Sequence, residues 1–95
     1  LAEELEDSFC QSNPTIARHF AKVTFLGDNR SDLENVTTET LILQCNSDAI
    51  ASTEVGQYVH NHISNSKFVI LDATGHCPHL SAPDQTIEAM KRFLN

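Results

Sequence analysis

Apolar and polar positions change their period along the chain, and each change marks an element. Over residues 1–10, Leu1, Leu5 and Phe9, with Ala2 beside them, recur at helical spacing while Glu3, Glu4, Glu6 and Asp7 take the other positions. That is the pattern of a short amphipathic helix. Ser12-Asn13-Pro14 supplies a capping residue and then a proline suited to a first helical position, and Ile16, Ala17, Phe20, Ala21 and Val23 continue at helical spacing. A second helix is predicted to about Leu26. Gly27 to Ser31 is turn chemistry, and Asp32-Leu33 opens a short turn towards Val36. Here the helical period is lost. Thr40-Leu41-Ile42-Leu43-Gln44-Cys45 runs without alternation, as expected of a strand covered on both faces in a parallel sheet. Asn46 to Asp48 reads as a loop, and from Ser52 or Thr53 the positions Val55, Val59 and Ile63 mark another helix that Ser64-Asn65-Ser66 ends. Lys67-Phe68-Val69-Ile70-Leu71-Asp72 is a second apolar strand, Ala73 to Pro83 a loop, and Asp84 a cap for a final helix through Ile87, Met90, Phe93 and Leu94.

The predicted order is therefore helix, helix, strand, helix, strand, helix, an α/β class. Residues 40–72 form one strand–helix–strand unit, whose strands should lie parallel through a right-handed crossover. Two strands are too few for an independent parallel sheet. The expectation is that residues 1–95 are the C-terminal part of one larger α/β domain, with the other strands absent or supplied by another chain. The start at Leu1, without an initiator Met or a signal-peptide layout, reads as a cut end.

Composition narrows the partners. Hydrophobic residues at 40% and charged ones at 20% describe an ordinary globular chain. Thirteen acids against six bases give a formal charge of −7, which repels phosphate backbones and anionic bilayers. Neither nucleic acid nor membrane is an expected partner, and no apolar run approaches the roughly 20 residues of a membrane span. Cys10, Cys45 and Cys77 are odd in number and lack a CxxC pair, which fits a reducing, cytoplasmic setting. Cys10 and Cys45 are expected in the core as small apolar residues.

In parallel α/β sheets, ligands and catalytic groups collect beyond the carboxyl ends of the strands. Two such loops occur here. One carries Asp48, three residues past Cys45; the other carries Gly75-His76-Cys77-Pro78-His79. Neighbouring strands are about 4.8 Å apart, so Asp48 and His76 are predicted to pair. A carboxylate that accepts the imidazole Nδ1–H fixes the tautomer and stabilises the imidazolium formed when Nε2 takes a proton from a nucleophile. Acid before histidine is the chain order of α/β-hydrolases, in which the nucleophile precedes both. No Gly-x-Ser-x-Gly occurs among these residues. Cys77 follows Gly75 at the right offset, but His79 stands where the second glycine should be, so Cys77 is rejected as nucleophile.

Simpler roles compete. Asp48 could cap the helix that begins near Ser52, and His76 could bond only to backbone. His79 is expected buried or half-buried, shaping the loop. A zinc-loop module would draw on His76, Cys77 and His79 with Cys45 or with His60 and His62. The last two sit at i and i+2 on a helix and face apart. No metal or cofactor is assigned.

The segments Glu3-Glu4-Leu5-Glu6, Phe9-Cys10, Ile16-Ala17-Arg18, Phe20-Ala21-Lys22, Leu41-Ile42-Leu43-Gln44-Cys45 and Gly75-His76-Cys77-Pro78-His79-Leu80-Ser81 resemble the C-terminal part of the RsbQ group of α/β-hydrolases, bacterial regulators of the sigma-B general stress response. The Gly-His-x-Pro-His signature is also similar to that of the plant strigolactone and karrikin receptors. The resemblance implies Asp48 as the triad acid, His76 as the base and a serine in the N-terminal half of the fold. It implies residues 1–35 as lid-proximal helices, with Phe20 and Phe25 near a small apolar pocket, and 36–95 as the last two strands and their helices. It further implies a small hydrophobic ester or lactone as ligand, for turnover or for reception alone, and a partner phosphatase bearing a PAS sensor domain. Glu39 and Ser52 depart from the proline that relatives often carry.

Overall fold

The computed structural model describes residues 1–95 except the side chain of Phe9; the predicted place of Phe9 on an apolar helix face thus lies outside the described residues. The chain forms helices α1 (Ala2–Gln11) and α2 (Pro14–Leu26), a 3-10 turn at Arg30–Asn35, strand β1 (Thr40–Ser47), helix α3 (Thr53–His62), strand β2 (Ser66–Thr74), and helices α4 (Pro78–Ser81) and α5 (Pro83–Leu94). The predicted order stands, with one addition. The loop foreseen from Ala73 to Pro83 contains the one-turn helix α4, begun by Pro78 in the position where a missing N–H costs nothing.

Local chemistry explains the ends. Asn13 caps α2, its Oδ1 accepting the amides of Thr15 and Ile16 at 3.0 and 3.3 Å, with Pro14 next in line. In α5 the proline again decides. Pro83 opens the helix, the cap position falls to Ala82, and Asp84 lies in the first turn rather than capping it as the sequence suggested. There its charge favours the positive end of the helix.

β1 and β2 pair in parallel from Thr40 opposite Ser66 to Cys45 opposite Leu71, and resume with Ser47 opposite Thr74. Alternation along the strands divides two faces. Gln44 and Phe68 lie under α3, where Gly56 makes the approach possible: a Cβ there would overlap Gln44 Oε1 and come within 2.7 Å of the Phe68 ring. On the opposite face Leu41, Val69 and Leu71 look towards α5, with Phe93 lying 5.9 Å below Lys67 Nζ. The sheet is thus sandwiched between α3 and α5.

The core centres on Cys45, Ile63, Leu71 and Ala82. Cys45 is 1% exposed, as expected of a small apolar residue, but Cys10 is exposed and is no core residue. Leu41, Ile42 and Leu43 are only half-buried, because a two-stranded sheet covers its residues less completely than the continuous apolar run foresaw. Among the described residues, α1 and α2 contact neither the sheet nor its covering helices. The apolar side chains Leu5, Ile16, Phe20 and Phe25 are accordingly exposed, and the radius of gyration, 15.7 Å, exceeds the ~13 Å of a compact domain of this size. No helix among the described residues is long and apolar enough to cross a membrane.

Candidate active site

Both strands end on the same side of the sheet, and their exit loops meet there. Asp48 follows β1 by one residue. Its Oδ1 accepts the backbone amides of Ile50 and Ala51 at 2.8 and 3.0 Å, which folds the loop back over the carboxylate in an Asx turn. Oδ2 is left for His76, whose Nδ1 lies 2.8 Å away. The pairing foreseen for Asp48 is made by Oδ2, whereas Oδ1 closes the loop ahead of α3 and does not cap that helix, whose N-cap position falls to Ser52.

Two further residues hold this loop. Gln44, buried in the run of apolar residues, donates from Nε2 to the carbonyls of Ala51 and Ser52 at 2.9 and 2.7 Å. Asn46 reaches across to β2, accepting from Ala73 N–H and donating to the Asp72 carboxylate. Sequence reasoning passed over both. A lone carboxamide inside an apolar strand was the available signal for Gln44, since a buried amide needs partners.

His76 is carried by the turn that ends β2. Gly75 has φ of +113°, a conformation that side chains disfavour, and its N–H donates to Ser47 O at 2.9 Å. That bond closes the second exit loop onto the first. A carboxylate only accepts, so the short contact places a proton on His76 Nδ1, and Nε2 has no hydrogen-bond partner among the described residues. The His76 side chain is 48% exposed and that of Asp48 4%: one atom of the pair is open to a reactant and the other is sheltered. The Ala51 amide, with His76 and the Ile50 amide adding to it, holds the Asp48 carboxyl below its ordinary pKa against the opposing effect of burial. An ionised acceptor is what orients an imidazole and stabilises its protonated form.

The remaining histidines go elsewhere. His79 is exposed on α4, not buried as expected, because the helical turn from Pro78 carries it to the outer surface. His60 Nδ1 meets Ser66 Oγ at 2.8 Å, and His62 Nδ1 donates to Tyr58 O at 2.7 Å. Among the described residues no group of three or more His, Cys, Asp or Glu side chains is placed to hold a metal ion.

No protein-family model matches the chain. It is 29% identical over 94 residues to the karrikin insensitive 2 receptor IA of Petunia hybrida, covering 98% of this chain and 34% of that protein. It is 28% identical over 92 residues to a strigolactone esterase of Arabidopsis thaliana, covering 96% and 34%. Among solved structures it superposes on a hydrolase from Oleispira antarctica with a TM-score of 0.83 and 42% identity, covering 98% of this chain and 34% of the other. The chain spans about a third of the length of the curated relatives it matches. Its homologues are thus members of the α/β-hydrolase family, and its own architecture of parallel strands and covering helices is that of the C-terminal part of this fold.

Proposed function

We propose that residues 1–95 supply the acid and the base of a serine hydrolase of the RsbQ kind, with Asp48 orienting His76 and His76 taking and returning the proton of a serine that lies outside them. The observation that carries this reading is the 2.8 Å contact from His76 Nδ1 to Asp48 Oδ2, with Nε2 left free and Oδ1 engaged by two backbone amides. In the reaction, the serine oxygen attacks an ester or lactone carbonyl as its proton passes to His76 Nε2. The imidazolium then protonates the leaving alkoxide, and the base regenerated in this way activates water against the acyl-enzyme. The oxyanion donors come from the same missing region as the serine. A small hydrophobic substrate, a cytoplasmic location, a role in sigma-B stress signalling and a PAS-domain phosphatase as partner belong to the same proposal, and so does the placing of residues 1–35 beside a lid.

The test is hydrolysis of a short p-nitrophenyl ester by the complete protein. Asp48→Asn should lower kcat by up to about 10⁴-fold, because an amide favours the wrong imidazole tautomer, and His76→Ala should abolish turnover. The 95 residues alone should hydrolyse no more ester than their own His76→Ala variant. Activity above that control would refute the assignment of the nucleophile elsewhere.

The name of the Petunia relative favours a second reading, in which the same pair serves a receptor and signalling follows from occupancy. In that case the His76→Ala protein would lose turnover while keeping its signalling output.

A further inference from the structure

The two exit loops are not joined by a regular ladder. Cys45 lies opposite Leu71, but Ser47 lies opposite Thr74, so β2 takes three steps where β1 takes two. Asn46 is the β1 residue inside this step, and Asp72 and Ala73 are the two β2 residues opposite it. Such bulges leave backbone groups unpaired and bend the strand, and they commonly re-aim a side chain near a site. Here a side chain answers them. Asn46 Oδ1 accepts Ala73 N–H at 3.1 Å, and Nδ2 donates to Asp72 Oδ1 at 3.0 Å. One residue further on, Ser47 O accepts Gly75 N–H at 2.9 Å. One residue beyond that on each strand, Asp48 meets His76.

The chemistry of the step selects a short carboxamide. It needs an acceptor for an N–H and a donor for a carboxylate on neighbouring atoms. Aspartate cannot donate, serine offers a single atom, and glutamine adds a methylene that moves both groups outwards.

We propose that Asn46 is a positioning residue for the Asp48–His76 pair: its carboxamide holds the extra residue of β2 inside the register step and thereby sets the separation and rotation at which the two strand exits present acid to base. The inference rests on the catalytic reading of that pair. The Asn46 side chain hydrogen-bonds to neither Asp48 nor His76; it acts through Ser47 on one side and through Ala73 to Gly75 on the other. An amide clamp across a bulge limits how far the bulged strand slides, and a slide of one residue would carry His76 to the other face of the sheet.

The experiment is NMR of the uniformly ¹⁵N-labelled protein, with the His76 ring resonances assigned from a His76→Gln sample. The readouts are the tautomer of His76 and the exchange of its Nδ1 proton with water. In the unaltered protein the proton should reside on Nδ1 and exchange slowly. Asn46→Ala should speed that exchange roughly tenfold, the scale of one lost hydrogen-bonded clamp, and should mix the tautomers, while the amide signals of Cys45 and Leu71 stay in place. Asp72→Asn should change little, because its new amide oxygen still accepts. Asn46→Asp should behave like Asn46→Ala, since two carboxylates then face each other. Combining Asn46→Asp with Asp72→Asn restores a donor opposite an acceptor and should return the exchange to within about twofold of the original.

Unaltered His76 exchange in Asn46→Ala would overturn the proposal. If Asn46→Ala loses its fold, the double substitution decides: failure to restore the Nδ1 proton overturns the proposal, and recovery supports it. Asp48→Asn separates the two levels. Should it leave the His76 proton unchanged, the pairing itself is wrong and the role of Asn46 falls with it; should it alter the proton while Asn46→Ala does not, only the positioning role is lost.

Discussion

Asp48 divides its two oxygens between two tasks, and the division has a consequence for acid stability. Its carboxyl is held below the ordinary value by the Ala51 amide, then by His76 and Ile50. A group whose folded pKa is depressed stabilises the fold fully above its unfolded value and loses that contribution as pH falls through the folded one. The expected outcome is that Asp48→Asn flattens the acid limb of the stability curve: in urea titrations between about pH 2 and 5, the gap between the two proteins should be widest at the upper end and close as the carboxyl is protonated. Gly56 is the second residue whose role is quantitative. Alanine there meets Gln44 and Phe68, so Gly56→Ala should cost about 1–3 kcal/mol in chemical denaturation, the usual range for overpacking. Asp48 and His76 were legible in the sequence because strand-exit placement is a rule of topology and needs no packing detail. Gly56 was not, because a helix glycine looks the same in sequence whether it faces solvent or a neighbouring strand.

At the scale of elements, Gln44 joins β1 to the start of α3. Its amide donates to two carbonyls at this junction, those of Ala51 and Ser52, the second of which also accepts the Val55 N–H. Gln44→Leu keeps the bulk and removes both bonds; a loss of about 1–3 kcal/mol is expected, chiefly from the Ala51 carbonyl left without a protein donor. Amide exchange of Ile50 and Ala51 should accelerate with it, which is the direct measurement. The longer helices follow from periodicity, since each extends for two turns or more of consistent pattern, and the strands follow from their continuous apolar runs. Two errors have one origin. The four residues of α4 are too few to show a period, and the cap of α5 was misplaced by two residues. At both helices a proline at the first helical position was the signal that propensity alone did not weigh. β1 also runs two residues past its predicted end, because the clamp of Asn46 and the Gly75-to-Ser47 bond continue the pairing into what composition alone reads as a loop.

Across the whole molecule, order should be uneven. α1 and α2 have 10 and 13 residues and no partner element among the described residues, and helices of that length are marginal in water without packing. Native-state hydrogen exchange of these 95 residues should therefore find the amides of α1 and α2 exchanging near the rate of free peptide, while those of β1 and β2 are the slowest. Protection of α2 equal to that of β2 would mean that its apolar side is covered in solution. The sequence foresaw strands covered on both faces and helices with apolar stripes, but a periodicity records only which side of an element avoids water. It does not say which surface meets that side, and so the loose packing of α1 and α2 was beyond its reach. The register step between the strands is the clearest case of a global property set by one residue. Deleting Ala73 would match the strands two steps against two, but it would take away the N–H that Asn46 accepts and with it one half of the clamp. The smoother sheet is thus the one with fewer ties between the two loops that carry Asp48 and His76.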